Sequence, residues 1–419
     1  MSTDALTTLA APGAAGIVSV CSAHEMVIEA ALLQAVEDGG PALIEATCNQ
    51  VNQDGGYTGM TPAGFREFVH GIADRVGVPR GRVILGGDHL GPNPWKHLPP
   101  EDAMARAEAM VAAYAAAGFE KLHLDCSMGC AGEPASPGDA VTAGRAARLA
   151  ARADEAAAAA PVYVIGTEVP TPGGALGALD HLQPTRPDAA VATYAVHEAS
   201  FHEAAGTAWP RVVALVVQPG VEFGHEDVAV YAPEPARALA ATLDRMPGLV
   251  FEAHSTDYQP EAALRRLVQD GFRILKVGPG LTFALREALY ALDAIAAVLR
   301  PGTVSLPDTM ERLMLAQPRD WQGHYPGTPD EQRKLRHHSY SDRIRYYWPM
   351  PAAREAVDGL LSALQGVRIP ETLIGQHLPR LHRRVVAGVL PPDARLLLIE
   401  AVRDVLRAYS RACRGTEAP

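Results

Sequence analysis

The sequence predicts an α/β fold, a (β/α)8 TIM barrel with a C-terminal helical extension. Eight short runs rich in β-branched residues recur up to about residue 280, and alanine-rich segments of helical periodicity separate them. Each run is apolar at nearly every position, as in parallel strands that are buried on both faces. Strand alternating with helix eight times is typical of a barrel. An open doubly wound sheet, the structural alternative, would need fewer strands and usually a glycine-rich first turn.

The eight predicted strands are short and apolar. In chain order they are GIVSVCS from Gly16, ALIEAT from Ala42, RVILGGDH from Arg82, KLHLDCS from Lys121, VYVIGTE from Val162, RVVALVVQ from Arg211, LVFEAH from Leu249 and RILKVG from Arg273. Beyond residue 300, proline, arginine and aromatic residues become more frequent and amphipathic helical patterns follow. We therefore predict a barrel over residues 1–300 and a helical extension over residues 301–419 that packs on it.

Composition excludes several classes of function. The formal net charge is -11 and no basic stripe is present, so we expect no nucleic-acid partner. No apolar run is long enough for a membrane span, and the N-terminus lacks the pattern of a signal peptide. Five cysteines form no paired framework, which favours reduced thiols. We expect a cytoplasmic protein, and the absence of any Gly-Lys pair excludes a P-loop kinase.

Polar side chains stand at the carboxyl ends of seven of the eight predicted strands. Barrel enzymes build their active sites at this end. Any one such residue is still more often a turn residue than a catalyst, so the argument rests on the set. Its members are Ser22 with His24, Glu45, Asp88 with His89, Asp125, Glu168, Gln218 and His254.

Two histidines and a carboxylate from this set form a candidate site for a divalent metal. His89, His254 and Glu168 could ligate the ion, and two histidines with one carboxylate leave positions open for a substrate. Glu168 could instead act as a base, and Asp88 is the candidate acid/base. The structural alternatives are a capping aspartate with a solvated histidine, a core histidine at 254 and a salt bridge at 168. The set does not distinguish Zn, Mn, Ni, Co and Mg.

Uncharged polar groups and a glycine-rich helix start suggest a phosphorylated, polyhydroxylated ligand. The loop IEATCNQVNQDGGYTGMT places four amides after the second strand, and GPGLTFALREAL opens a helix with backbone N–H groups that suit an anion. Arg343 or Arg345 could reach across to a phosphate. The alternatives are a surface loop and a structural arginine network. The candidate substrate-binding residues are Asn49, Gln53, Gln218, Ser255, Gly278, Gly280, Thr282 and Arg343.

Lys276 lies on the eighth predicted strand and suggests a different mechanism, in which a lysine reacts covalently with the substrate. A buried lysine with a lowered pKa could form a Schiff base with a ketose. An outward-facing or ion-paired lysine is the alternative. The metal set competes for the same end of the barrel, so we give the Schiff base less weight.

Long motifs resemble one protein family over about residues 16–412. The motifs are EATCNQVNQDGGYTGMTP, ILGGDHLGPNPW, HLDCSMGCAG, VIGTEVPTPGG, VVQPGVEFGH, FEAHSTDYQ, LKVGPGLTFALREA and SDRIRYYWP. Together they resemble the GatZ/KbaZ family, described as the non-catalytic subunit of class II tagatose-1,6-bisphosphate aldolase. Cys48 stands where the family commonly has serine, so we assign it no chemistry.

The resemblance implies one of two activities. Some members are accessory subunits that stabilise a catalytic aldolase chain, and others are metal-dependent 4-epimerases acting on tagatose 6-phosphate. A fainter resemblance to catalytic class II aldolases implies a proton-handling role for Asp88 and metal-binding roles for His89 and His254, with Glu168 as a further carboxylate. Gln218, with His225 a few residues on, stands near the place of a further aldolase metal histidine. This departure argues against ordinary aldolase turnover.

The sequence therefore leads to a hypothesis about the reaction. The hydrogen at C4 of a ketose 6-phosphate is not acidic, and no dinucleotide motif is present, so retro-aldol cleavage followed by aldol recombination is the accessible route. We expect a phosphorylated ketohexose as substrate, a divalent metal ion as cofactor, and a homo-oligomer. The alternative is a non-catalytic subunit whose partner is an aldolase catalytic chain.

Overall fold

The computed structural model describes residues 4–167, 179 and 182–415, which include a closed parallel barrel. Its strands are Ile17–Cys21 (β1), Ala42–Thr47 (β2), Val83–Leu90 (β3), Lys121–Leu124 (β4), Val162–Ile165 (β5), Val212–Val216 (β6), Val250–Ala253 (β9) and Phe272–Val277 (β10). Two short strands, Glu222–Phe223 (β7) and Val228–Ala229 (β8), pair antiparallel outside it. Each predicted run contains one barrel strand, which confirms the (β/α)8 fold.

Helices surround the barrel and continue beyond it. The first group is Asp4–Thr7 (α1), Glu25–Asp38 (α2), Pro62–Arg75 (α3), Pro100–Ala116 (α4), Asp139–Ala156 (α5), Pro187–Ala204 (α6), Pro233–Ala240 (α7), Glu261–Gln269 (α8) and Pro279–Leu299 (α9). The C-terminal group is Leu306–Ala316 (α10), Pro329–His338 (α11), Pro351–Leu364 (α12), Glu371–His377 (α13), Pro379–Val386 (α14) and Ala394–Arg414 (α15). Many begin with proline, whose missing N–H costs nothing in a first turn.

The C-terminal helices pack directly on the barrel. Helix α15 lies against α2, α8 and α9, and Arg411 on α15 pairs with Glu261 on α8 at 2.7 Å. The hydroxyl of Tyr409 donates to the backbone carbonyl of Thr256, in the loop after β9, at 2.6 Å. The extension therefore supports a loop at the carboxyl end of the barrel. Whether residues 1–300 and 301–419 are separate domains stays a prediction.

None of the helices in the described parts of the chain combines the length and the apolar character that a membrane span requires.

Candidate active site

Charged and imidazole side chains enter the barrel interior from its own strands. From β4 onward they occupy positions 121, 123 and 125, and from β9 onward positions 252 and 254. All five residues are buried. Because side chains alternate between the two faces of a strand, residues two apart point to the same side. This spacing brings Lys121, His123, Asp125, Glu252 and His254 into one interior.

Three histidines form a triangle at the carboxyl end of the barrel. The ring centroid of His89 lies 5.0 Å from that of His123 and 4.9 Å from that of His254. The centroids of His123 and His254 are 5.1 Å apart. His89 adopts a positive φ of 49°, which turns its ring inward just where β3 ends. Strained backbone of this kind occurs frequently at functional sites.

Each of these histidines has a buried carboxylate as its hydrogen-bond partner. Such a partner fixes ring orientation and leaves the other nitrogen for a ligand. The pairs are His89 Nδ1 with Asp125 Oδ2 at 2.8 Å, His123 Nδ1 with Asp88 Oδ1 at 2.9 Å, and His254 Nε2 with Glu252 Oε1 at 2.8 Å.

Four of these residues fit a divalent metal ion. Asp88, His123, Glu252 and His254 each offer a ligand atom, and the four atoms lie within 4.8 Å of one another. The Nε2 atom of His123 is buried and has no hydrogen-bond partner among the described residues. An unpaired buried nitrogen is costly unless something binds it. Two imidazoles and two carboxylates are a donor set that suits Zn, Mn, Ni or Co better than Ca.

Two lysines lie between carboxylates in the layer beneath the histidines. Lys121 Nζ is 2.6 Å from Glu45 Oε1 and 2.7 Å from Glu252 Oε2. Lys276 Nζ is 3.0 Å from Glu45 Oε2 and also pairs with Asp88. These ion pairs are nearly inaccessible to solvent, and each charge has opposite charges around it, as burial requires.

Burial, the neighbouring histidines and the lysine layer together set the protonation states at the site. Burial alone would raise the pKa of Asp88, but the charges of His89 and Lys276 outweigh it and hold this pKa well below its usual value. Burial, reinforced by the charge of Lys276, lowers the pKa of His254 to about 3. Asp88 is therefore an ionised carboxylate and His254 a neutral imidazole. Lys276 is an ammonium, because its carboxylate neighbours outweigh burial and raise its pKa, which disfavours the Schiff base.

A small chamber opens onto this group. Its cavity volume is about 90 Å³. Of the predicted site residues it is lined by Asp88, His89, His254, Asn49, Ser255 and Gly278. The structure therefore brings these six together, and their individual roles stay predictions. Glu168 lies outside the described residues.

Four other predicted substrate contacts, Gln53, Gln218, Thr282 and Arg343, form hydrogen bonds within the protein, and their roles in binding stay predictions. The amide of Gln53 donates to the carbonyl of Arg106 on the outer side, and the Oε1 atom of Gln218 accepts two backbone N–H groups of its own turn. The hydroxyl of Thr282 donates to Asp342, and Arg343 Nε donates to the carbonyl of Asp320. Short polar motifs often satisfy their own backbone, which the sequence alone does not separate from ligand binding.

The predicted anion site at the start of α9 already holds an anionic side chain. The backbone N–H groups of Gly278 and Gly280 both donate to Asp257 Oδ1, at 2.9 and 2.7 Å. Burial raises the pKa of Asp257 to about 6, although these two hydrogen bonds oppose the shift. A phosphate predicted at Gly278, Gly280 and Thr282 would meet this carboxyl group.

Comparison with known proteins shows the family to which the chain belongs. The family model described as D-tagatose-1,6-bisphosphate aldolase subunit GatZ/KbaZ-like matches residues 3–414. The chain belongs to the GatZ/KbaZ-like family. It is 55% identical over 405 residues to D-tagatose 6-phosphate 4-epimerase of Agrobacterium fabrum, covering 95% of each chain. The crystal structure of a probable tagatose 6 phosphate kinase from Sinorhizobium meliloti 1021 is 59% identical, with a TM-score of 0.90 over 95% of this chain and 100% of that one.

In this GatZ/KbaZ-like chain the third histidine comes from an unexpected strand. The likeness to aldolases directed attention to Gln218 and to nearby His225, whose Nδ1 lies 3.1 Å from the hydroxyl of Ser339. His123 on β4 completes the triangle instead. The signal was present in the sequence as the spacing of Lys121, His123 and Asp125. Polar residues at every second position of an apolar run face one side of the sheet.

Proposed function

We propose that this chain is a metal-dependent 4-epimerase that interconverts D-tagatose 6-phosphate and D-fructose 6-phosphate. The observation that carries the proposal is the buried group of Asp88, His123, Glu252 and His254 at the carboxyl end of the barrel. The relative from Agrobacterium fabrum, whose name states this activity, supports the choice of substrate.

The two sugars differ only in the configuration at C4, and in this proposal Asp88 handles the proton of the C4 hydroxyl. Asp88 accepts that proton, the C3–C4 bond breaks, and its electron pair passes into the enediolate of the three-carbon ketone fragment. The aldehyde fragment presents its other face and the C3–C4 bond forms again. Asp88 then returns the proton to the C4 oxygen. Atoms and electrons balance, and no redox partner is consumed.

The histidines and carboxylates would hold the divalent ion, and the neighbouring side chains would hold the sugar. A divalent ion held by His123, Glu252 and His254, with Asp88 beside it, would polarise the C2 carbonyl. His89 offers a further imidazole, as its ring lies 4.9 Å from that of His254. Asn49 and Ser255 line the chamber with groups that can bind sugar hydroxyls. Tight enclosure keeps both fragments in place until they recombine.

The test is an assay of the purified chain alone. Metal is removed, then Mn, Ni, Zn, Co or Mg is added with tagatose 6-phosphate, and NMR follows the formation of fructose 6-phosphate. We expect product only with metal and without release of free triose phosphate. A chain that gives no product with any metal, from the monophosphate or the bisphosphate, would contradict the proposal.

The second candidate function is that of a non-catalytic subunit of a tagatose-1,6-bisphosphate aldolase. The description of the family model favours it. It predicts no turnover alone and a stable complex with a separate aldolase chain, which co-purification would detect. A homo-oligomer stays a prediction that light scattering can test.

A further inference from the structure

A second, larger chamber adjoins the chamber at the histidines. Its cavity volume is about 420 Å³, compared with about 90 Å³ for the inner one. The loop after β1, the loop after β2 and helix α12 line it. The two chambers share lining residues, including Tyr57, Gly278 and Arg345. A substrate that reaches both would place its reacting atoms inside and its far end outside.

Arg345 lines both chambers, and its guanidinium forms no ion pair among the described residues. Its Nη1 donates to the carbonyls of Ser341 and Asp342, and its Nη2 donates to the hydroxyl of Tyr346. In the described parts of the chain, no carboxylate lies within ion-pair distance of this guanidinium, and Nε has no acceptor. A partly buried guanidinium that contacts only neutral acceptors is available for an anion.

Arg354 contributes a second cation to the outer chamber. It lies exposed near the start of α12, and its side chain forms neither an ion pair nor a hydrogen bond among the described residues. Two carboxylates also line this chamber. Glu25 is neutralised by Arg75, whereas Asp358 lies one helical turn beyond Arg354 and forms no ion pair with it.

The start of α9, on another wall of the inner chamber, is unsuited to the phosphate because the Asp257 carboxyl group is already bound there. Asp257 already accepts the N–H groups at the start of α9, so a phosphate there would lose those donors and meet a carboxyl group. The outer chamber instead offers two guanidinium groups that form no ion pair within the described part of the chain, together with the hydroxyls of Ser22 and Thr58.

We propose that the phosphate of the substrate binds in the outer chamber, between Arg345 and Arg354. The inference rests on the proposed function, because it assigns the position of the phosphate in the same substrate. Arg345 provides a planar, oriented contact and Arg354 an exposed one that guides entry. The inner chamber then holds the carbons that react, and the phosphate keeps the aldehyde fragment anchored while it turns.

The first experiment compares Arg354→Met with Arg380→Met. Arg380 is likewise exposed near the start of a helix, lines neither chamber and forms no ion pair among the described residues. Arg354→Met should raise KM for tagatose 6-phosphate about tenfold, as expected for one lost charged contact, with kcat within about twofold. Its KM for free tagatose and all constants of Arg380→Met should stay at wild-type values. An unchanged KM for the phosphorylated sugar in Arg354→Met would overturn the proposal.

A binding experiment separates this proposal from the proposed function. Isothermal titration with fructose 6-phosphate, fructose and inorganic phosphate requires no turnover. We expect the wild type to prefer fructose 6-phosphate over fructose by at least about tenfold, and Arg345→Lys and Arg354→Met each to lose most of that preference. If the chain binds the phosphate in this way but lacks epimerase activity, only the proposed function fails. A preference that survives both substitutions and increases in Asp257→Asn, which removes the negative charge at the α9 N–H groups, would place the phosphate at α9 and overturn the inference.

Discussion

The two ends of the barrel interior have opposite chemistry, although the same strands build both. At the amino end Leu43, Ile84 and Ile274 belong to an apolar cluster that Leu6 on α1 and Leu9 in the turn after it close. Two residues further along β2 and β10 the side chains are Glu45 and Lys276. One step of the strand period therefore separates a layer that stabilises the fold from a layer that carries charge.

The contrast between the apolar and the charged layer shows how a barrel can bury charge near a catalytic group. Each buried carboxylate of the charged layer faces a lysine, and each lysine faces at least two carboxylates. The apolar layer needs no such matching, since its burial is favourable without direction. Lys276 joins the charged layer to Asp88, so the ion pairs also orient the proposed base.

The largest effect should follow from removing the charge of Asp88. In Asp88→Asn the side chain keeps its shape but is no longer a base, so we expect kcat to fall by about 10²–10⁴-fold at saturating metal. Asp244→Asn, an exposed position outside the barrel, is the matched control and should keep wild-type activity. Steady-state kinetics with both variants checks this, and full activity in Asp88→Asn would remove Asp88 from the mechanism.

The variants Lys121→Met and Ile274→Val compare how much each layer contributes to the free energy of unfolding. Lys121→Met leaves Glu45 and Glu252 with one lysine between them, so the free energy of unfolding should fall by about 3–5 kcal/mol. Ile274→Val removes one methylene from the apolar layer and should cost about 0.5–1.5 kcal/mol. Urea denaturation measures both. Equal losses would mean that the charged layer has no special requirement for matched charge.

The sequence predicted the barrel and part of its charged end, for identifiable reasons. Strand-end polarity pointed to Asp88, His89 and His254, all of which line the inner chamber. His123 and Glu252 were overlooked because they lie within strands that read as apolar. Their period-two spacing from other polar residues was the available signal.

Other parts of the site could not be predicted from one sequence. The position of Arg345 depends on how the C-terminal helices pack on the barrel. The capture of the α9 N–H groups by Asp257 depends on a loop after a different strand. Both are contacts between segments far apart in the chain, and no local pattern records them.

Glu222 is a buried carboxyl group that no lysine faces among the described residues, and its ionisation should therefore destabilise the fold. It is buried on β7 and pairs with no cation among the described residues, and burial raises its pKa to about 7. Since the folded-state pKa exceeds the unfolded one, its contribution favours folding at low pH and is lost as pH rises towards and through 7. Relative to wild type, Glu222→Gln should gain about 2–3 kcal/mol of unfolding free energy between pH 5 and pH 8. Urea denaturation at the two pH values checks this, and a pH-independent difference would contradict it.

A substitution at Gly86 tests whether the charged layer is as closely packed as its ion pairs require. Gly86 lies in register between Glu45 and Lys121, and a Cβ added there would come within 2.5 Å of Glu45 Cγ. Gly86→Ala should therefore displace Glu45 from its lysines and cost about 1–2 kcal/mol of unfolding free energy. Gly81→Ala, where nothing lies within 4 Å of the added Cβ, is the matched control and should be close to neutral. If both variants unfold at the wild-type urea concentration, the layer tolerates rearrangement, and the ion pairs orient Asp88 less strictly than their distances imply.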